Sequence, residues 1–281
     1  MPHAAALSLA ISPCPNDTFI FHAWLHGLVP GAPAPGSVQF EDVETLNRMA
    51  LAGAADVVKV SAAIIAEVEE EYVVLDAGAA LGWGNGPVLT AREPLDPLQV
   101  DVLALPGERT TAALLAWEYG IRPRNHLVVR YDEVAPAVLE GRATAGVCIH
   151  EERFTLEQRG LVKVLDFGVW WEEAMGLPLP LGVILARRSL GQARVREIES
   201  AIRASVEQAW ASPAQCRAFV RLHAQAMDDA VLDAHIKTFV TEFSRSLQHQ
   251  EGLGRRAVEV LTAIARRRTT EQQGGQSFSG R

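Results

Sequence analysis

The sequence predicts an α/β protein of two lobes around a cleft. Three observations carry that expectation. Short apolar runs alternate with stretches of helical spacing, the alternation restarts after Pro97, and beyond Ser189 the chain reads as helix throughout. Alternating strands and helices imply a mixed, mostly parallel sheet flanked by helices. Two such series imply two sheets, with the chain leaving the first near 91–97 and returning near 186–189. Lobe one is expected over 1–92 with 187–268, and lobe two over 93–186. Residues 269–281, rich in Gln, Gly and Ser, are expected to form a disordered tail.

Residues 7–11 are an apolar run that stops at Ser12-Pro13, as a strand meeting a turn would. Pro13 and Pro15 stiffen the loop, and Asn16 or Asp17 suits the cap of a helix spaced through Phe19, Phe21, Trp24 and Leu28. A strand at 38–40, a helix at 43–51 and a buried strand at 56–60 follow, with Ser61 where the next helix would start. A strand at 73–75 leads to the glycine-rich turn between Gly78 and Pro87. In the second series, strands are expected at 100–105, 127–130, 145–149, 161–165 and 180–186, with helices at 110–119 and 133–139. Gly120 is placed to end the first of these helices. Helices at 193–210, 213–226, 230–243 and 255–268 complete the chain, and Pro213 suits a first helical position.

Composition narrows the function. A chain of 281 residues with 48% hydrophobic residues is globular, and a net charge of −8 argues against a nucleic-acid partner. The one dense basic run, Arg266-Arg267-Arg268, reads more simply as a helix end than as a binding patch. Three cysteines, Cys14, Cys148 and Cys216, offer no disulfide framework or zinc spacing and fit a reducing compartment. The apolar N-terminal run has no basic flank and is too short to span a bilayer, so a cytoplasmic protein without a membrane partner is expected. No cofactor is expected, and the oligomeric state stays open.

Candidate chemistry gathers at strand-to-helix junctions. Lys59-Val60-Ser61 and Arg109-Thr110-Thr111 each bring a hydroxyl to a helix start, where free N–H groups and the dipole favour an anion. Ordinary capping explains Ser61, Thr110 and Thr111 as well. His150 ends a strand and is the sharpest candidate for a general base. A helix N-terminus there would lower its pKa. His22 and His26 share a helix face but have no third ligand at matching spacing. Trp170-Trp171 suit either stacking on a flat substrate or core packing. There is no G-x-S-x-G nucleophile motif and no P-loop.

Taken in order, seven segments resemble one family. They are Ser12-Pro13-Cys14-Pro15-Asn16-Asp17-Thr18, Lys59-Val60-Ser61, Thr110-Thr111-Ala112, Gly146-Val147-Cys148-Ile149-His150-Glu151 with Arg153-Phe154-Thr155, Trp170-Trp171-Glu172, Pro178-Leu179-Pro180-Leu181-Gly182, and Glu242-Phe243-Ser244 with Gly252. The family is the 1,4-dihydroxy-6-naphthoate synthases of the futalosine route to menaquinone, and the resemblance spans about 7–262. It implies a type II periplasmic-binding-protein-like fold and a carbon–carbon lyase. The implied substrate is the aryl carboxylate cyclic dehypoxanthine futalosine. It also implies that His150 accepts a proton, while Lys59, Val60, Ser61, Thr110, Thr111 and, less directly, Asn47 contact the substrate. Positions 62, 63, 83, 85 and 156 depart from the family's usual residues, which leaves the pocket wall undetermined. Two rivals are a chorismate dehydratase of the same pathway and a non-catalytic solute-binding protein. The His-Glu-x-Arg-Phe segment favours the synthase over the first, and the absence of a secretion signal disfavours the second.

Overall fold

The computed structural model describes residues 6–225 and 228–276. Strand β1 (Leu7–Ile11) runs into helix α1 (Pro15–Leu25), followed by β2 (Pro35–Phe40), α2 (Val43–Leu51) and β3 (Val57–Ser61). A short helix α3 (Ile65–Val68) and strands β4 (Tyr72–Val74) and β5 (Ala80–Gly82) finish this series. The second contains β6 (Val88–Ala91), β7 (Val102–Leu105), α4 (Thr111–Tyr119), β8 (Asn125–Val128), α5 (Val134–Leu139), β9 (Ala145–Cys148), β10 (Val162–Asp166) and α6 (Phe167–Met175). Strand β11 (Leu179–Arg187) returns, and α7 (Gly191–Ala211), α8 (Pro213–His223), α9 (Asp229–Phe239), α10 (Glu242–Arg245) and α11 (His249–Gln276) follow.

Two mixed sheets result. The first has the order β2-β1-β3-β11-β4, with β5 also on β11; the second has the order β10-β6-β9-β7-β8. β1 is parallel to β2 and β3, and β7 to β8 and β9. The antiparallel pairs come from the crossing strands: β11 against β3, β4 and β5, and β6 against β9 and β10. Every residue of β3 is buried. Val58 and Val60 join a core that also holds Trp171 and Phe167, each such side chain contributing about 1.5–3 kcal/mol by burial.

Sheet membership moves the expected lobe boundaries. β6 pairs with β9 and so lies in the second sheet, while β11 pairs with β3 and lies in the first. The crossings therefore fall at 83–87 and 167–178, where apolar strand patterns alone could not tell which sheet a strand joins. The two crossings touch at a pair of glycines. A Cβ on Gly86 would stand 2.0 Å from the Gly168 backbone nitrogen, and one on Gly168 2.6 Å from that of Gly86.

Three other expectations change. The helix expected over 230–243 breaks after Phe239, because Thr241 and Ser244 form a capping box that starts α10. Asn16 and Asp17 do not cap α1; Pro15 is already its first residue and Cys14 its N-cap. The tail expected from 269 is helical as far as Gln276, and 277–281 lie outside the described residues. Arg266-Arg267-Arg268 therefore sit inside α11, with Arg266 paired to Glu69 and Arg267 to Glu118.

Candidate active site

The cleft between the sheets is lined by Asp17, Lys59, Ser61, Thr110, Thr111 and His150, among others. Each comes from the carboxyl end of a strand or the helix start beyond it, where an open α/β sheet presents its ligand site. Of the residues singled out from sequence, Lys59, Val60, Ser61, Thr110, Thr111 and His150 meet there. Asn47 stands behind the wall. Its Oδ1 accepts from the Ser61 backbone N–H at 2.9 Å, and its Nδ2 donates to Ser61 Oγ at 3.1 Å and to the Arg109 carbonyl at 3.2 Å. Asn47 thus ties β3 of one lobe to the start of α4 in the other. The Ser61 hydroxyl keeps its own proton free to donate, with no acceptor among the described residues.

Thr110 is the N-cap of α4: its hydroxyl accepts from Ala113 N–H at 3.2 Å and donates to the Gly107 carbonyl at 3.0 Å. Capping therefore occupies this hydroxyl, but the N–H groups of Thr111 and Ala112 have no intrahelical acceptor and lie at the cleft. The Thr111 hydroxyl donates to the Leu181 carbonyl at 2.9 Å, joining α4 to β11. The helix N-terminus and the Ser61 hydroxyl of the opposite lobe thus present N–H and O–H donors to the same cleft.

Lys59 meets Asp17 at 2.7 Å, and both side chains are buried. The other oxygen of Asp17 accepts from the Ser12 hydroxyl at 2.7 Å and the Ser12 N–H at 3.2 Å. The positive charge of Lys59 is thereby balanced within the protein.

His150 has φ +56°, a left-handed conformation uncommon outside glycine. Its ring meets Tyr131 edge-on at 5.0 Å and lies 3.9 Å, through Nδ1, from Cys14 Sγ. Burial is the main cause that pushes its pKa below the ordinary histidine value. The expected dipole effect is not the cause. His150 opens a 3-10 turn of 5 residues rather than an α-helix, and desolvation dominates. Desolvation likewise raises the Cys14 thiol and the Tyr131 hydroxyl well above their ordinary ranges. The ring is thus neutral near pH 7 with neutral neighbours at Cys14 and Tyr131, which suits a proton acceptor.

Other candidates lie elsewhere. Trp171 is in the core, donating to the Pro178 carbonyl at 3.2 Å, and Trp170 packs edge-on against Tyr119, so neither serves as a stacking platform in the cleft. The rings of His22 and His26 lie 4.4 Å apart, tilted by 31°, beside Phe219. Sequence reasoning missed the buried Asp17–Lys59 pair and His235. The latter belongs to the apolar face of α9 with Leu232 and Phe239, a pattern that reads as core.

Two α/β lobes, crossed twice by the chain with a cleft between them, define the periplasmic-binding-protein fold. A Candida albicans protein that exhibits the generic periplasmic binding protein structural fold superposes with a TM-score of 0.61 at 12% identity, covering 95% of each chain. A structure from Archaeoglobus fulgidus superposes with a TM-score of 0.87 at 30% identity, covering 95% of this chain and 99% of that one. The chain belongs to the menaquinone biosynthesis family, which it matches over residues 7–267. Two curated relatives named 1,4-dihydroxy-6-naphthoate synthase agree. The Thermus thermophilus protein is 48% identical over 265 residues, 94% of this chain and 95% of its own. The Streptomyces coelicolor protein is 45% identical over 249 residues, 87% of this chain and 88% of its own.

Proposed function

We propose that the protein is a 1,4-dihydroxy-6-naphthoate synthase, converting cyclic dehypoxanthine futalosine to 1,4-dihydroxy-6-naphthoate with His150 as the base. The observation that carries this is the neutral, desolvated imidazole of His150 sharing one cleft with the free N–H groups of α4. The substrate carboxylate binds at Thr111 and Ala112 N–H, with the Ser61 hydroxyl donating from the other lobe. His150 takes a proton from the carbon beside the ketone. The electron pair left behind becomes a ring double bond as the C–C bond to the sugar remnant breaks; the three-carbon fragment departs with that bond's electrons and takes up the proton from His150, so the ring gains aromaticity and the base is restored. The protein supplies orientation, a base and donors for developing oxyanions.

The two lobes, 7–82 with 179–276 and 88–166, act as bodies that close over the substrate and exclude water. A cytoplasmic location accords with the biosynthetic role of the relatives and with Cys14, Cys148 and Cys216, which are buried and unpaired. Among the described residues, no helix is long and apolar enough to cross a membrane.

The test is turnover of cyclic dehypoxanthine futalosine by the purified protein, with chorismate as the control substrate. His150→Ala is expected to lose about 10²–10⁴ in kcat, while substrate still quenches or shifts tryptophan fluorescence. Turnover of chorismate alone would assign the protein to the dehydratase branch. Near-native turnover in the variant would remove His150 from the chemistry.

A further inference from the structure

Against the face of His150 lies a second histidine that the reaction above does not use. His235, on α9, is fully buried, and its ring is parallel to that of His150, with 13° between planes and 6.1 Å between centroids. Its tautomer follows from its neighbours. Asn16 Nδ2 donates to Asp17 Oδ1 at 2.8 Å, the same oxygen that Lys59 Nζ holds at 2.7 Å. That contact fixes the Asn16 amide, so the Asn16 Oδ1 faces His235 Nε2 at 3.0 Å. An amide oxygen only accepts, so Nε2 carries the ring proton and Nδ1 of the neutral ring is a bare acceptor.

Nδ1 looks at Glu151 Oε2 across 3.6 Å. Both atoms are buried, and neither has a hydrogen-bond partner among the described residues. Two buried acceptors facing each other are costly, and a single proton between them satisfies both. Placing that proton on the ring would put an imidazolium in a fully buried site beside His150. Burial and the neighbouring His150 hold His235 well below the usual histidine range.

We propose that Glu151 and His235 are positioning residues that share one proton and lock the His235 ring as a neutral platform for His150. The inference rests on His150 being the base, because the platform acts only through that ring. The left-handed backbone at His150 makes such support necessary: φ of +56° is a conformation the surrounding packing must hold. Loss of the shared proton would leave two facing acceptors, loosen His235 and let the His150 imidazole leave its attack geometry.

The groups around this pair are Cys14 and Asp17 from the loop and helix of β1–α1, Lys59 from β3, Tyr131 ahead of α5, and Glu152 and His150 from the turn after β9. Burial holds the Cys14 thiol and the Tyr131 hydroxyl neutral, and Lys59 is paired with Asp17.

Steady-state kinetics on Glu151→Ala, Glu151→Gln and His235→Ala test the proposal. Glu151→Ala and His235→Ala should lose about 10-fold or more in kcat, with KM changed less than about 3-fold, as expected when a base is misplaced while substrate binding is kept. Glu151→Gln should recover most of that loss, because its amide N–H donates permanently to Nδ1. Nitrogen-detected NMR of the wild-type protein should place the His235 proton on Nε2. The proposal falls if Glu151→Gln is as impaired as Glu151→Ala, or if His235 carries its proton on Nδ1 alone. The NMR readout and the Glu151 pair decide the matter even if His235→Ala does not fold. A fully active His150→Ala instead overturns the base assignment, an outcome separate from any of these.

Discussion

Lys59 donates to the carboxylate of Asp17 at 2.7 Å on the cleft floor, and the two side chains are 7% and 1% exposed. At that burial the pair's geometry matters more than its existence. Removing one partner strands the other charge out of water, which costs about 3–5 kcal/mol, whereas replacing both with apolar groups can be close to neutral. Asp17→Ala should therefore lower the free energy of unfolding in urea by about 3–5 kcal/mol. The double variant Asp17→Leu with Lys59→Met should regain most of the loss. Equal damage in the single and double variants would mean that the pair's hydrogen bonds to Ser12, rather than the balance of charge, hold the floor.

Asn47 makes two hydrogen bonds to Ser61 and one to the Arg109 carbonyl in the other lobe. Asn47→Ala leaves the Ser61 N–H and the Arg109 carbonyl without this partner and should destabilise the fold by about 1–3 kcal/mol. Because Ser61 is then free to turn, KM should rise by about 10-fold, the effect of losing one oriented donor. A KM equal to wild type would show that Ser61 keeps its orientation without Asn47.

His150 titrates below the ordinary histidine value because burial disfavours its charged form. Its folded-state pKa is thus lower than its unfolded one. The stability this contributes is complete above about pH 6.5 and is lost as pH falls through the lowered value. The reaction needs the neutral ring, so the acid limb of kcat/KM should lie below about pH 6.5. A pH profile whose acid limb lies above that value would contradict the desolvated environment.

Gly86 and Gly168 touch where the chain passes between lobes, and Phe167 N–H donates to the Pro87 carbonyl at 3.0 Å beside them. Gly86→Ala drives a methyl group into the backbone of Gly168, not into a side chain that can swing away. Overpacking of this kind costs about 1–3 kcal/mol or more, so the melting temperature should fall by about 2–6 °C for a chain of this size. Ala at Gly84, where a Cβ meets nothing within 4 Å, is the control for backbone strain alone, since its φ is +67°.

Much of this fold could be read from the order of apolar runs. The helix expected at 43–51 is α2 residue for residue, because Asp42 caps it and apolar residues recur on one face. Most strands could be located to within a residue or two, but β2 begins three residues before the expected strand, β5 lies inside the stretch expected as a glycine-rich turn, and sheet membership was not legible. Whether β6 joins β5 or β9 depends on long-range pairing, and both strands are equally apolar. The break at Val240 was hidden because Leu232, Ile236, Phe239 and Phe243 continue the 3.6-residue spacing across it. Thr241 overrides that spacing by donating to the Leu81 carbonyl. At the site, hydroxyls and His150 stood out because they end strands. Asp17 resembled a cap, although its partner Lys59 is 42 positions away. His235 resembled core because nothing local distinguishes a hydrogen-bonded buried imidazole from a packed one.

Two consecutive arginines on α11 reach in different directions: Arg266 holds Glu69 in the first lobe, and Arg267 holds Glu118 on α4 in the second. Each pair is solvent-accessible and worth little by itself, about 0–1 kcal/mol. Only one of them spans the gap, so parting the halves breaks Arg267–Glu118 and spares Arg266–Glu69. Ionic strength thereby becomes a dial on how readily the jaws separate. Added electrolyte screens both pairs, but of the two only the loss of Arg267–Glu118 loosens a tie between the lobes.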